Sequence, residues 1–306
     1  MQVIPLNFSR GIAVLVVATV VIVSFTSPAA GQDPRSVKDL AEQLRSVDLQ
    51  QRRDAAYGLA NLGADAQSAL DALIDALDDR DEQVWMQSAM AVARIGPAAA
   101  EAAPALIESL DTRDDQQRYR AAWVLSRLGG EAIEPLRKAA SSDVERVRIG
   151  ALDAMGWMSD HRDGLVPVLQ EALTDKDVSV ARQAVASLAL LHAASALCEA
   201  LDHDDPTIRA TAASGLADTD EIPSTAESKL LDLAEDEIAR VRQAAVVAIA
   251  ASDLPSQTVN DVILSAIKDG DPLVRDGGIV AIKKRNAGKD EDLRQRLISL
   301  LGGDDR

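Results

Sequence analysis

At 306 residues the chain is long for one globular core, and 49 acids against 32 bases give a formal charge of −17 that opposes binding to a phosphate backbone. One cysteine, Cys198, excludes an intramolecular disulfide, and three histidines beside it offer few ligands for a metal centre. Aromatic residues are only 2% of the chain, so their location carries information.

Residues 1–31 differ from everything after them. Arg10 is followed by a near-continuous apolar run from Gly11 to Phe25, then Thr26, Ser27, Pro28 and small residues to Gly31. A basic start, an apolar core and a small-residue exit predict a secretory signal peptide cleaved after Ala29 or Gly31. The rival is an uncleaved anchor, although spanning a bilayer usually takes about 20 apolar residues. With few aromatics and no disulfide, the expected destination is a bacterial periplasm, cell surface or medium.

From residue 35 to residue 301 the chain repeats itself. The stretch DPTIRATAASGLA, Asp205 to Ala217, returns as DPLVRDGGIVAI from Asp271 to Ile282 and in worn copies elsewhere. Anchored on the residue before the Arg, the copies fall at Gln51, Val84, Gln117, Val147, Val180, Ile208, Val241 and Val274, spaced 33, 33, 30, 33, 28, 33 and 33. Such a period predicts stacked helix pairs, since no pair buries its apolar stripe alone.

Each copy begins with a helix cap. Asp48, Asp81, Asp114, Asp177, Asp205 and Asp271 stand three residues before their anchors, with Pro next in the last two. Copies four and seven offer Asp143 and Asp236 nearby. Apolar or small residues then recur with helical spacing, as Ala121, Ala122, Leu125 and Leu128 do, predicting a helix B. Between copies a helix A is expected, as over Ala66–Leu77 or Ala102–Leu110, with Gly63, Gly96 and Gly129 ending the preceding B helices in left-handed caps. Residues 35–46 supply the first helix A. The short gaps predict shortened A helices or turns at Glu131–Ala140 and Ala193–Leu201, with local changes of twist. Asp290 to Leu301 predicts a final capping helix, and 302–306 is a polar tail. The expected fold is all-α, an α-solenoid of eight helix pairs and a cap.

The pattern D-x-x-V-R-x-x-A-A-x-A-L resembles HEAT repeats, specifically the short bacterial HEAT-like units associated with phycobilin lyases. Asp205, Ile208, Arg209, Ala212, Ala213 and Leu216 carry it, as do Val241, Arg242, Ala245 and Ile249. The turn signature of ankyrin repeats and the aromatic spacing of tetratricopeptide repeats are missing. The resemblance implies an Asp–Arg ladder joining the cap aspartates to Arg52, Arg118, Arg148, Arg209, Arg242 and Arg275, interrupted where Trp85 and Ala181 replace the Arg. It also implies that B helices line the concave surface.

On that face, positions +3, +6 and +10 from each anchor point away from the core. Repeats one to four place there Asp54, Tyr57 and Asn61; Gln87, Met90 and Arg94; Arg120, Trp123 and Arg127; and Gly150, Asp153 and Trp157. Repeats five to eight place mostly small residues there, such as Ala186, Ser214, Ala244 and Val247. After residue 31 every aromatic (Tyr57, Trp85, Tyr119, Trp123, Trp157) belongs to a B helix of the first four repeats. Trp, Tyr, Arg and Met dominate interface energetics. The expectation is a non-enzymatic scaffold binding a protein or peptide through Tyr57, Met90, Arg94, Arg120, Trp123, Arg127 and Trp157, with Trp85 and Tyr119 as packing residues; the rival is that the bulky residues only fill gaps between Ala-rich helices.

Acids crowd the A–B turns, among them Asp78, Asp79, Asp81, Asp111, Asp114, Asp202, Asp204, Asp232 and Glu235. No calcium-loop pattern accompanies them, so caps and a solvated edge are the reading. His161, His192 and His203 are isolated, and Cys198 reads as a small core residue. No cofactor, metal, small-molecule substrate or nucleic-acid partner is expected. An enzyme or enzyme subunit of the HEAT-like lyase or hydroxylase type, and an assembly component using its end faces, are the alternatives.

Overall fold

The computed structural model describes residues 36–285 and 290–301; the expected signal peptide and polar tail lie outside them. Its seventeen α-helices are α1 (Val37–Leu44), α2 (Leu49–Leu62), α3 (Leu70–Ala76), α4 (Glu82–Ile95), α5 (Ala103–Glu108), α6 (Asp115–Arg127), α7 (Ile133–Ala140), α8 (Glu145–Gly156), α9 (Arg162–Ala172), α10 (Val178–Leu190), α11 (Ala194–Ala200), α12 (Pro206–Ala217), α13 (Ser224–Leu233), α14 (Ala239–Ile249), α15 (Ser256–Ile267), α16 (Pro272–Lys284) and α17 (Glu291–Leu301). Odd-numbered helices to α15 are A helices, even-numbered ones are B helices, and no strand occurs among the described residues. The architecture is an α-solenoid of eight helix pairs and a terminal helix.

The chain divides into two compact units, with the division inside α10 after Ser187. In the first, α2, α4, α6 and α8 pack side by side in that order, and α5, α7 and α9 do the same on the A side. Leu59, Leu73, Leu106, Leu125, Leu136, Leu152 and Leu165 are fully buried between the layers. Each contributes about 1.5–3 kcal/mol by leaving water. The alanine pairs Ala55–Ala56 and Ala121–Ala122 are equally buried, as close approach of neighbouring helices requires.

In the second unit α12, α14 and α16 form the B row, each against its own A helix. Ile208, Leu216, Leu230, Val241, Ile249, Val259 and Ile263 make its core. Helix α17 docks through the fully buried Leu293. Asn260 donates to the carboxylates of Asp290 and Asp292, and Arg296 pairs with Asp261 at 2.5 Å. Of the apolar residues expected to close the end, Ile298 and Leu300 remain exposed. The cap is thus held largely by polar bonds at its start.

The caps are where the spacing put them at five sites. Asp48, Asp81, Asp114, Asp205 and Asp271 accept from amides in the first turn of α2, α4, α6, α12 and α16. Copies four and seven depart from expectation. Their N-caps are Val144 and Ile238, which make no side-chain cap bond, so Asp143 is not a substitute cap and Asp236 serves the turn before the helix.

Connections differ from expectation in two ways. Gly63 and Gly96 have φ of 59° and 72° but ψ of −127° and −138°, a region only glycine occupies without strain rather than a left-handed cap. Each opens a seven-residue 3-10 segment, 63–69 or 96–102, so the expected A helices of repeats two and three start later, as α3 and α5. The three residues missing before copy four come from this connector, which shrinks to four residues (Gly129–Ala132), while α7, with eight residues, outlasts α3 and α5. Before copy six the connector is Leu191–Ala193, with His192 at φ 51°. Helix α11 is itself shortened, as expected, with 7 residues against 11 in α9 and 10 in α13.

Candidate partner-binding face

The A–B turn repeats a single hydrogen-bonding device. A side chain two residues before the cap position accepts the cap residue's amide: Ser46 for Asp48, Asp79 for Asp81, Thr112 for Asp114, Ser142 for Val144, Asp175 for Asp177, His203 for Asp205, Asp236 for Ile238 and Asp269 for Asp271. The arginine after the anchor reaches back to the carbonyls of the same turn, Arg209 to His203 and Asp204, Arg242 to Asp236 and Glu237, Arg275 to Asp269 and Gly270.

That arginine also reaches forward 27 residues. Arg52 pairs with Asp79 at 2.6 Å, Arg148 with Asp175 at 2.9 Å, Arg209 with Asp236 at 2.8 Å and Arg242 with Asp269 at 2.9 Å. The ladder acceptor is therefore the turn aspartate and not the cap aspartate, which corrects the expected pairing of Asp48, Asp81, Asp114, Asp205 and Asp271 with the arginines. Two cap-position aspartates also take an arginine: Asp177 accepts from Arg148 at 2.6 Å, and Asp81 accepts from Arg53, the residue after the ladder arginine, at 2.6 Å. A D-x-D signal at Asp79–Asp81, Asp175–Asp177 and Asp269–Asp271 was present in the sequence.

The hydrogen bonds that Arg148 donates to Asp175 and Asp177 raise its pKa above the ordinary value. Burial opposes ionisation of Asp175, but Arg148 and the Asp177 amide hold its carboxyl below the usual range. Where the Arg is lost the ladder stops: Trp85 fills the position in α4, 3% exposed and with Nε1 unbonded, and Thr112 stands where the acceptor would be. Arg118 meets Ser142 in the acceptor position and pairs instead with Asp115 of its own helix, at 2.5 Å.

The face expected to bind a partner lies wholly in the first unit. Tyr57 is 47% exposed and Trp123 37%; Arg94 and Arg127 are exposed, and Met90, Arg120 and Trp157 partly so. Helices α2, α4, α6 and α8 bring these seven residues into successive rungs of one row. Two assignments change. Tyr119, expected to pack, is 44% exposed and meets Trp157 edge-on, ring centroids 4.9 Å apart, so it joins the face. Gly150, expected to face outward, is buried beside Leu110; a Cβ there would lie 2.7 Å from that side chain. In the second unit Ala244 is likewise buried.

Arg94 donates to the Ala60 carbonyl at 2.5 Å, and Arg120 pairs with Glu82 at 2.8 Å. Asp153, beside Trp157 on the face, accepts from Gln183 at 3.1 Å. Burial pushes its carboxyl up to about 6, against the pull of Arg118 and Gln183. Elsewhere, Cys198 is buried and its thiol is pushed up by burial, which suits a core residue.

The family model described as HEAT repeats matches residues 37–126, 103–189 and 194–258, more than half of the chain. The chain belongs to the HEAT repeat family. Solved structures show the same fold. A structure of Kap95p, whose binding induces the switch loops of RanGDP to adopt the GTP-bound conformation, matches with a TM-score of 0.58 and 13% identity. That match covers 86% of this HEAT chain and 44% of the other, so this chain spans under half the neighbour's length. The X-ray structure of YibA from E. coli matches with a TM-score of 0.53 at 19% identity, over 86% of this chain and 94% of that one. An engineered protein matches with a TM-score of 0.45 at 20% identity, over 86% and 84%. No curated protein matches.

Proposed function

We propose that this HEAT protein is an exported, non-enzymatic scaffold that binds a protein or peptide partner on the B-helix face of repeats one to four. The observation that carries the reading is the row of Tyr57, Met90, Tyr119, Trp123 and Trp157 left partly or largely exposed on four adjacent helices. Exposed large aromatics on one surface are uncommon in a chain with so few, and such residues supply most binding energy at interfaces. The apolar run Gly11–Phe25 behind Arg10 supports export. Membership of the HEAT family, and the likeness to Kap95p, which acts on a protein, are in keeping with a protein partner.

Replacing Trp123 and Trp157 together by Ala is expected to abolish capture of the partner from an envelope extract while leaving the far-ultraviolet circular dichroism unchanged. Undiminished capture by the folded variant would sink the reading.

A further inference from the structure

The B helices of repeats one to four carry eight arginines, and they divide sharply. Arg52, Arg53, Arg118, Arg120, Arg146 and Arg148 each pair with a carboxylate. Arg94 and Arg127 pair with none among the described residues. Both of these are exposed. Both occupy position +10 from their anchors, on α4 and α6, which pack against each other. Beside them on the same helices lie Met90 and Trp123, and the outer rungs carry Tyr57, Asn61 and Trp157. Two acids lie in these rungs: the half-buried Asp153, held by Gln183, and the exposed Asp54 of the first repeat, which accepts from Gln50.

The axes of packed helices lie about 8–10 Å apart. A polyproline II chain rises about 3.1 Å per residue with three residues per turn, so its residues i and i+3 lie on one side about 9 Å apart. A chain running across the row therefore advances by about one helix every three residues. We propose, building on the face assigned above, that its occupant is an acidic peptide in an extended, polyproline II-like form. Carboxylates three residues apart sit on Arg94 and Arg127, and an intervening apolar side chain lies against Met90 and Trp123. The guanidinium forks suit bidentate carboxylates, and the surrounding acidic surface repels peptides that cannot reach them.

The test is fluorescence anisotropy with the full chain and a labelled peptide of about twelve residues repeating Glu-Leu-Pro, long enough at that rise to cross four helices. Two further peptides of the same length carry Lys for Glu, or the same glutamates placed consecutively. The Glu-Leu-Pro peptide is expected to bind, more weakly as salt rises, and R94E and R127E are each expected to weaken it by about tenfold or more. Equal binding of the Lys peptide or of the consecutive-glutamate peptide, or no loss in R94E and R127E, overturns the proposal. So does self-association of the chain that these substitutions abolish, which would make the acidic turns of a second copy the occupant. If the tryptophan variant loses its partner but the Glu-Leu-Pro peptide never binds, the face stands and the acidic class falls.

Discussion

Asp153 shows how much one buried carboxyl can report about its surroundings. It sits half-buried on α8, with the charge of Arg118 and the amide of Gln183 as its favourable neighbours. Gln183 also donates to Ser187, whose hydroxyl bonds the Leu152 carbonyl at 2.8 Å, so its orientation is locked. Because burial dominates, folding favours the protonated acid, whose pKa moves from 3.8 to about 6. A raised folded pKa contributes stability below the unfolded value, and that contribution is lost as pH rises through the folded one. D153N keeps the shape and removes the charge. It is expected to be more stable than the parent at pH 7 by on the order of 2 kcal/mol, with the difference vanishing below about pH 4. Urea midpoints of both proteins at pH 4, 5, 6 and 7 would show this; a difference independent of pH would contradict it.

Between elements, the ladder decides how neighbouring helix pairs are joined. Arg148 is 4% exposed and holds two carboxylates and the Ser142 carbonyl, whereas Arg120 and Glu82 are 36% and 75% exposed. Removing one partner of a buried pair strands the other charge, at roughly 3–5 kcal/mol, while an exposed pair is worth about 0–1 kcal/mol. R148M should therefore lower stability by about 3 kcal/mol and R120M by under about 1 kcal/mol, measured by chemical denaturation; equal losses would contradict the burial argument. All eight pairs and the terminal helix were legible in the sequence, because period and Asp caps are local signals. The ladder acceptors were not, since Asp79 and Asp81 look alike until the chain is folded and only one remains available to Arg52. The seven face residues were readable by counting from the anchors. Tyr119 was missed because its exposure depends on how α6 lies against α8, and Gly150 because a missing side chain lets Leu110 cover it.

For the molecule as a whole, a formal charge of −17 means that folding gathers mutually repelling carboxylates. Screening shortens from about 30 Å in 0.01 M salt to about 8 Å in 0.15 M, which relieves this repulsion but hardly touches the half-buried ladder pairs. The melting temperature is therefore expected to rise by a few degrees over that range; scanning calorimetry at the two concentrations would show it, and a fall would mean that exposed ion pairs dominate. The interrupted ladder has a mechanical consequence. Between repeats two and three, and again between three and four, the forward ladder link from the arginine after the anchor to the next turn aspartate is absent. The polar bridges that cross there, Arg120 to Glu82 and Arg146 to Asp111, are partly exposed. In the first unit those two seams lack the half-buried ladder bond, and Met90, Trp123 and Trp157 lie across them. A partner seated on the aromatic row, as proposed above, would bridge the two seams that the ladder leaves unstapled.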